Sequence, residues 1–241
     1  MPPLRMAVLQ CDHTLQTKSG DCGEIVEQWI SRAGHAIQYP VQVSRWNVEA
    51  FQYPELDQID VAVISGSPTS VGDRQEWIQR LVEFTAKAAS DQQVFLVGIC
   101  FGHQIIAKAL GGEVGQRDGG YVVGVVPTYL TELGKQLFGR SELNFHQLHH
   151  EAVLRLPDGV QAIGTGVSGD NHGFYLPGRL ITIQGHPEID AESMDCALEL
   201  CRESLGKIVS QEDAGRVQHD HDGDYLGVAL LEILVGIRKH N

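Results

Sequence analysis

The sequence predicts an α/β fold of three layers: a mostly parallel central sheet, helices on both faces, and antiparallel strands added to one side. Three observations carry that prediction. Residues 6–11, 37–44, 61–65 and 94–99 form short runs, most of them nearly all apolar, with helical patterns between them. Strands that are apolar on both faces belong to parallel sheets covered by helices. The fourth run turns at once into a helical pattern through Gly98-Ile99-Cys100-Phe101-Gly102. From residue 121 to 184 the helix signals become few, and short β-like runs follow one another.

Residues 6–11 (MAVLQC) read as a buried first strand, and residues 12–23 as a polar loop reaching the sheet edge where a substrate would lie. Residues 24–33 follow as a helix that Gly34 ends, and residues 37–44 alternate as a second strand. After the third strand, Gly66-Ser67-Pro68-Thr69-Ser70 is a loop suited to exposing backbone N–H groups. Asp73 and Glu76 have the spacing of a capping box, and the next helix carries Trp77, Leu81, Phe84 and Ala88 on one face. The later half adds a short helix over 133–138, then a helix over 188–205 with Met194, Ala197 and Cys201 on one stripe. Residues 207–223 are polar and read as a loop. Residues 224–238 form a terminal helix apolar almost all round, which must therefore be packed.

The chain has 241 residues, 42% of them hydrophobic, which suits one domain over 1–241 with a substantial core. Its net charge of −13 argues against nucleic acid and anionic membrane as partners. No signal-peptide pattern and no apolar run near the ~20 residues of a membrane span is present. The cysteines are odd in number and lack CxxC spacing, so a reduced, cytoplasmic protein is expected. No phosphate-binding GxxxxGK[ST] loop and no GxGxxG after a strand occurs, and no cofactor is expected.

The chemistry centres on Cys100. A buried strand turning sharply into a helix presents the residue at the turn, and glycines two before and two after relieve the crowding. A thiol there sits where backbone N–H groups and the helix dipole favour an anion. Residues 180–188 (LITIQGHPE) are a second apolar run, ending in Gly185-His186-Pro187-Glu188. If this strand joins the same sheet, His186 emerges beside Cys100, and Glu188 can hold the imidazole by its second nitrogen. His103 beside the turn has no acid partner and reads as a helix-surface or structural histidine. Of the four histidines His146, His149, His150 and His172, the first two would point to opposite faces of a strand, which does not suit shared metal ligation. The stretch from His219 to Asp224 lacks the spacing of a calcium loop and reads as a solvated helix entry, with Asp224 as a cap. No metal is expected.

GICFGHQ together with QGHPE resembles the signatures of the class I (triad-type) glutamine amidotransferases, G-[IV]-C-x-G-x-Q and Q-x-H-P-E. Residues 61–68 (VAVISGSP) resemble the family's strand and oxyanion loop. The resemblance runs from about residue 6 to 188. It looks closest to the branch similar to the amidotransferase domain of GMP synthase, which includes γ-glutamyl peptidases. It implies the family's flavodoxin-like fold and a catalytic Cys100, His186 and Glu188. It also implies backbone oxyanion donors among Gly66, Ser67 and Phe101, with Ser67 standing where relatives have glycine. Gln104 resembles the family glutamine that binds the substrate's α-carboxylate or amino group. His149 and Glu151, in QLHHEAV, resemble an H-x-D-x-V segment bordering the glutamyl group, with Glu151 for the usual Asp. The implied activity is a stand-alone hydrolase of a small-molecule γ-glutamyl amide, acting through a thioester. Alternatives are a glutaminase subunit delivering ammonia to a synthetase partner, a catalytically silent binding protein, or a peptidase or esterase of broader scope on the same fold.

Overall fold

The computed structural model describes residues 2–91, 93–201 and 215–240. An 11-stranded sheet forms the middle layer. Its parallel part runs in the order β4 (Val41–Asn47), β1 (Leu4–Gln10), β5 (Val61–Ile64), β6 (Phe95–Ile99) and β13 (Leu180–Ile183). Antiparallel strands continue it through β12 (Asn171–Leu176), β11 (Gln161–Thr165), β8 (Val122–Leu130) and β9 (Glu142–His149). Two further strands, β7 (Glu113–Gln116) and β10 (Glu151–Arg155), pair with each other beside β12.

Alternation along each parallel strand divides two cores. Met6 and Val8 of β1, with Val61 and Val63 of β5, meet Val26, Trp29 and Ile30 of α1 (Cys22–Ala36) on one face. Ala7, Leu9, Ala62 and Ile64 meet Trp77, Ile78 and Leu81 of α2 (Glu76–Ser90) and Ile105 and Ile106 of α3 (Phe101–Ala109) on the other. Period-two strands apolar at every position thus require a helix layer on each side, and the three-layer α/β prediction holds. The short helix α4 (Glu132–Phe138), capped by Thr131, and the long α6 (Gly223–His240) complete the first layer. Leu226, Leu230 and Leu234 of α6 are buried there, and the Trp29 indole donates to the Gly223 carbonyl at 2.9 Å. The terminal helix is packed, as its apolar surface requires.

Several boundaries differ from the sequence reading. α1 begins two residues early because Asp21 caps it: its carboxylate accepts from Glu24 N at 2.8 Å, and Glu24 Oε2 accepts from Asp21 N at 3.1 Å. The segment read as a polar loop holds this capping box and a small hairpin of β2 (Gln16–Thr17) and β3 (Gly20–Asp21). Gly34 does not end the helix. It is a buried close-packing position where a Cβ would lie 3.1 Å from the Tyr39 carbonyl, so the chain turns at Ile37 and β4 starts only at Val41. The capping box assigned to Asp73 and Glu76 is absent. Gln75 is the N-cap and makes no side-chain cap bond; its amide oxygen accepts from the Trp77 indole instead. β7 was not foreseen.

The helix expected over 188–205 is α5 (Ala191–Leu200), starting where Asp190 accepts from Ser193 N at 2.8 Å. Residues 202–214 lie outside the described residues, and with them the end of that helix and most of the 207–223 loop. Asp222 in the helix entry is not simply solvated: it accepts from Asn144 N at 2.8 Å and pairs with Arg140. Asp224 sits in the first turn of α6 and pairs with Arg32 at 3.0 Å.

The capping difference is measurable. Asp21→Ala lowers unfolding free energy by about 1 kcal/mol in urea denaturation, whereas Asp73→Ala stays within about 0.5 kcal/mol of the parent.

Candidate active site

Cys100 stands between β6 and α3 with φ 50° and ψ −104°, a left-handed backbone that an L-residue adopts only under constraint. Its N–H donates to Ile183 O at 2.8 Å, extending the β6–β13 ladder to the bend itself, and its carbonyl accepts from Gln104 N at 3.2 Å in the first turn of α3. Both flanking glycines are needed at close range. A Cβ on Gly98 would lie 2.7 Å from the Gly102 backbone, and one on Gly102 only 2.2 Å from Ile64 O. The helix is thereby seated directly on the carboxyl ends of β5 and β6. The thiol sits in a cavity of about 390 Å³ at this end of the sheet.

β13, parallel to β6, carries the chain to His186. The His186 N–H donates to His146 O of β9 at 2.7 Å, and its Nδ1 meets Glu188 Oε1 at 2.9 Å. Glu188 is 5% exposed. Burial alone would lower the proton affinity of His186; the facing Cys100 and Glu188 outweigh it and raise the pKa well above the usual imidazole value. Gly66 lies against the ring, where a Cβ would come 2.7 Å from His186 Cε1. A thiol, an imidazole and an orienting carboxylate in this order can run acyl transfer.

The candidate oxyanion donors lie near the thiol. Gly66 and Ser67 line the cavity beside Cys100, and Phe101 opens α3, where the first N–H groups of a helix lack intrahelical acceptors. The Ser67 hydroxyl turns to its own loop, accepting from Thr69 N at 3.2 Å.

Gln104, His149 and Glu151 also line the cavity and are bonded together. Gln104 Nε2 donates to the Glu151 carbonyl at 3.1 Å, His149 Nδ1 meets the same carbonyl at 3.0 Å, and the Glu151 carboxylate accepts from Ser70 Oγ at 2.6 Å. One residue of this site carried no role in the sequence reading. Gln184 donates to Cys100 Sγ at 3.6 Å and accepts from Gln104 Nε2 at 3.3 Å, joining thiol and cavity wall. It lies in the bend that leads from β13 to His186, and no signal of its own type marks it. His103 is fully buried, its Nδ1 on Thr182 Oγ1 at 2.8 Å and its ring against Phe174, so its role is structural.

His146 and His149 do part company: His146 packs against His221 with the rings tilted, while His149 meets His172 edge-on. His149, Asp170 and His172 bring ligand-type atoms within 4.8 Å of one another, a grouping that sequence reasoning within β9 did not foresee. Asp170 is already held by Arg117 and by His172 Nε2, each at 3.2 Å, and His172 Nδ1 meets Thr128 Oγ1 at 2.9 Å. A cation entering here would displace a guanidinium, so the residues form a hydrogen-bonded wall rather than an open ligand set. Asp170 is drawn below the usual carboxylate range because His172 and Arg117 outweigh its burial. Burial, aided by His172, lowers the pKa of His149 to about 3, and burial with His221 and His186 lowers that of His146 to about 4. Among the described residues no helix is long and apolar enough to cross a membrane, and all five cysteines are free thiols, with Cys22 and Cys201 lining the cavity alongside Cys100.

Two outcomes follow. Cys100→Gly is more stable than Cys100→Ala by about 1 kcal/mol in chemical denaturation, because both remove the thiol and only glycine relieves the left-handed backbone. The unfolded imidazoles of His146 and His149 titrate near 6.5 while the folded ones stay neutral to about 4 and 3, so unfolding takes up protons and stability falls as pH drops below about 6.5. His149→Asn flattens that acid limb by about one proton, roughly 1.4 kcal/mol per pH unit between pH 6 and 4.

Comparison with known proteins agrees with this geometry. The family model for glutamine amidotransferase class-I matches residues 19–199. The chain is 30% identical over 187 residues to a glutamine amidotransferase-like protein of Schizosaccharomyces pombe, covering 76% of this chain and 75% of that one. It is 31% identical over 178 residues to gamma-glutamyl peptidase 3 of Arabidopsis thaliana, covering 69% and 70%. In fold it is similar to a glutamine amidotransferase from Thermotoga maritima, with a TM-score of 0.77 at 16% identity over 97% of this chain and 99% of that one. With its signature cysteine on a strained bend and its signature histidine and glutamate joined just past the end of the neighbouring strand, the chain belongs to the class I glutamine amidotransferase family.

Proposed function

We propose that the protein is a cysteine hydrolase of γ-glutamyl amides that acts through a glutamyl thioester. One observation carries the reading: the strained Cys100 at the start of α3 shares a cavity with His186, whose Nδ1 is fixed by Glu188 at 2.9 Å. With Nδ1 engaged, Nε2 is the nitrogen left for the thiol. Cys100 attacks the side-chain carbonyl of the glutamyl group as a thiolate, with His186 holding the proton. Phe101 N–H and an N–H of Gly66 or Ser67 receive the oxyanion. As the C–N bond breaks, His186 protonates the leaving nitrogen. Water then cleaves the thioester, giving glutamate and the free thiol.

Gln104 recognises the glutamyl head in this reading. Its amide N–H groups are spent on Glu151 O and Gln184 Oε1, which leaves its oxygen as an acceptor. That oxygen and the Glu151 carboxylate suit the substrate's α-ammonium, with His149 behind them. The Gln184 donor on Cys100 Sγ stabilises the thiolate. The similarity to a γ-glutamyl peptidase supports the choice of bond.

The test is covalent capture with a diazo-ketone analogue of glutamine, read by intact-protein mass spectrometry, beside glutamate release from γ-glutamyl substrates. Wild type gains one label at Cys100. Cys100→Ala gains none and loses about 10⁴-fold in turnover. Full turnover by Cys100→Ala overturns the reading.

A further inference from the structure

The loop after β5 serves the site in two ways. It gives the cavity Gly66, Ser67, Pro68 and Thr69, the first two of them candidate oxyanion donors. Ser70 comes next, and its hydroxyl donates to the Glu151 carboxylate at 2.6 Å across 81 residues of sequence. That separation falls in the short range of hydroxyl-to-carboxylate bonds, ~2.5–2.7 Å. The bond also has a fixed direction. Gly72 N donates to the same serine oxygen at 3.0 Å, so the oxygen accepts from its own turn and the single hydroxyl proton goes to Glu151.

Of the two partners, the serine is the anchored one. Its carbonyl accepts from Asp73 N at 3.1 Å, which closes the turn. The next residue, Val71, is 1% exposed and belongs to the core of Ile78, Leu81 and Ile105. The Val71 carbonyl accepts from Lys108 Nζ at 2.6 Å, tying the turn to α3. Glu151 is held at its backbone instead, where its carbonyl accepts from Gln104 Nε2 at 3.1 Å and meets His149 Nδ1 at 3.0 Å. A glutamate side chain keeps several rotatable bonds beyond a fixed backbone, and locating its carboxylate takes a second point of attachment. Ser70 is that point.

Resting on the hydrolase reading above, in which Glu151 meets the substrate's α-ammonium, we infer that Ser70 is a positioning residue that aims the Glu151 carboxylate at that ammonium. With Oε1 held by the serine, Oε2 is presented to the substrate. Ser70 acts through Glu151 and does not touch the glutamyl group. Its hydroxyl joins the loop of the oxyanion donors to the wall that reads the glutamyl head. It thereby sets the selection of a γ-glutamyl group over a glutaryl group, which lacks only the amine.

The test measures the rate of covalent capture at Cys100 by the diazo-ketone analogue of glutamine and by its desamino counterpart, which differ only in the α-amino group. Wild type favours the amino form by at least about a hundredfold, as a site built to bond that group does. Ser70→Ala lowers the preference about tenfold, the scale of one hydrogen bond to a charged group. Ser70→Thr keeps the hydroxyl and the preference. In a Glu151→Gln background, Ser70→Ala changes the preference by less than about twofold, because the serine acts through the carboxylate. The preference is a ratio of two rates, so loss of folded enzyme cancels from it. An equal loss for both forms in Ser70→Ala overturns the inference, as does no loss, a Ser70→Thr variant as impaired as Ser70→Ala, or a wild type without preference. In each of these cases labelling at Cys100 leaves the hydrolase reading standing. A wild type that takes no label from either form removes the hydrolase reading, and the inference with it.

Discussion

Everything at the functional end of this molecule depends on how closely α3 can be seated on the sheet. The helix begins one residue after β6 ends, and the turn is completed only because Gly98 and Gly102 let backbone meet backbone. That approach forces Cys100 into its left-handed conformation and puts it at the positive end of the helix. The cost of a strained residue is borne by the surrounding ladder, since the N–H of Cys100 is itself the last rung toward β13. The thiol's position is therefore a property of packing between two strands and a helix, and not of the loop around it.

Much of this was legible beforehand, for a physical reason. Apolar runs such as residues 61–64 and 95–99 can be satisfied only in a doubly covered sheet, and a GxCxG step at the end of one has few backbone solutions. The pairing of Cys100 with His186 and Glu188 followed because both arms end strands of the same parallel sheet. What stayed hidden depends on contacts between distant segments. Gly34 has the appearance of a helix stop, but it is an approach point for Tyr39. Asp73 and Glu76 have cap spacing, yet the turn places Gln75 at the cap. Gln184 carries no signal of its own type, and its role appears only when Cys100 and Gln104 are brought to it from another element.

The histidines illustrate the same limit. Their number in the later half invites a metal, and strand alternation separates His146 from His149 correctly. It could not reveal that the start of β12 brings Asp170 and His172 to His149, nor that Arg117 arrives to take up the carboxylate. The result is a buried cluster behind the cavity wall in which Asp170 pairs with Arg117, and burial keeps His149 unprotonated far below neutrality.

The hydrogen bond from His186 to His146 has a topological consequence. β9 is the last strand on the sheet's antiparallel side, yet its His146 bridges back to the residues that continue β13. Strands β13, β12, β11, β8 and β9 therefore curl until the last rejoins the first, making a partial barrel that shares one stave with the open parallel sheet. The thiol belongs to the open sheet and the imidazole to the seam of the barrel. The bridge engages the β9 edge at His146, where the backbone carbonyl accepts from His186 N at 2.7 Å. It also means that the thiol and the imidazole are held by separate parts of the sheet, the bend after β6 and the bridge to β9.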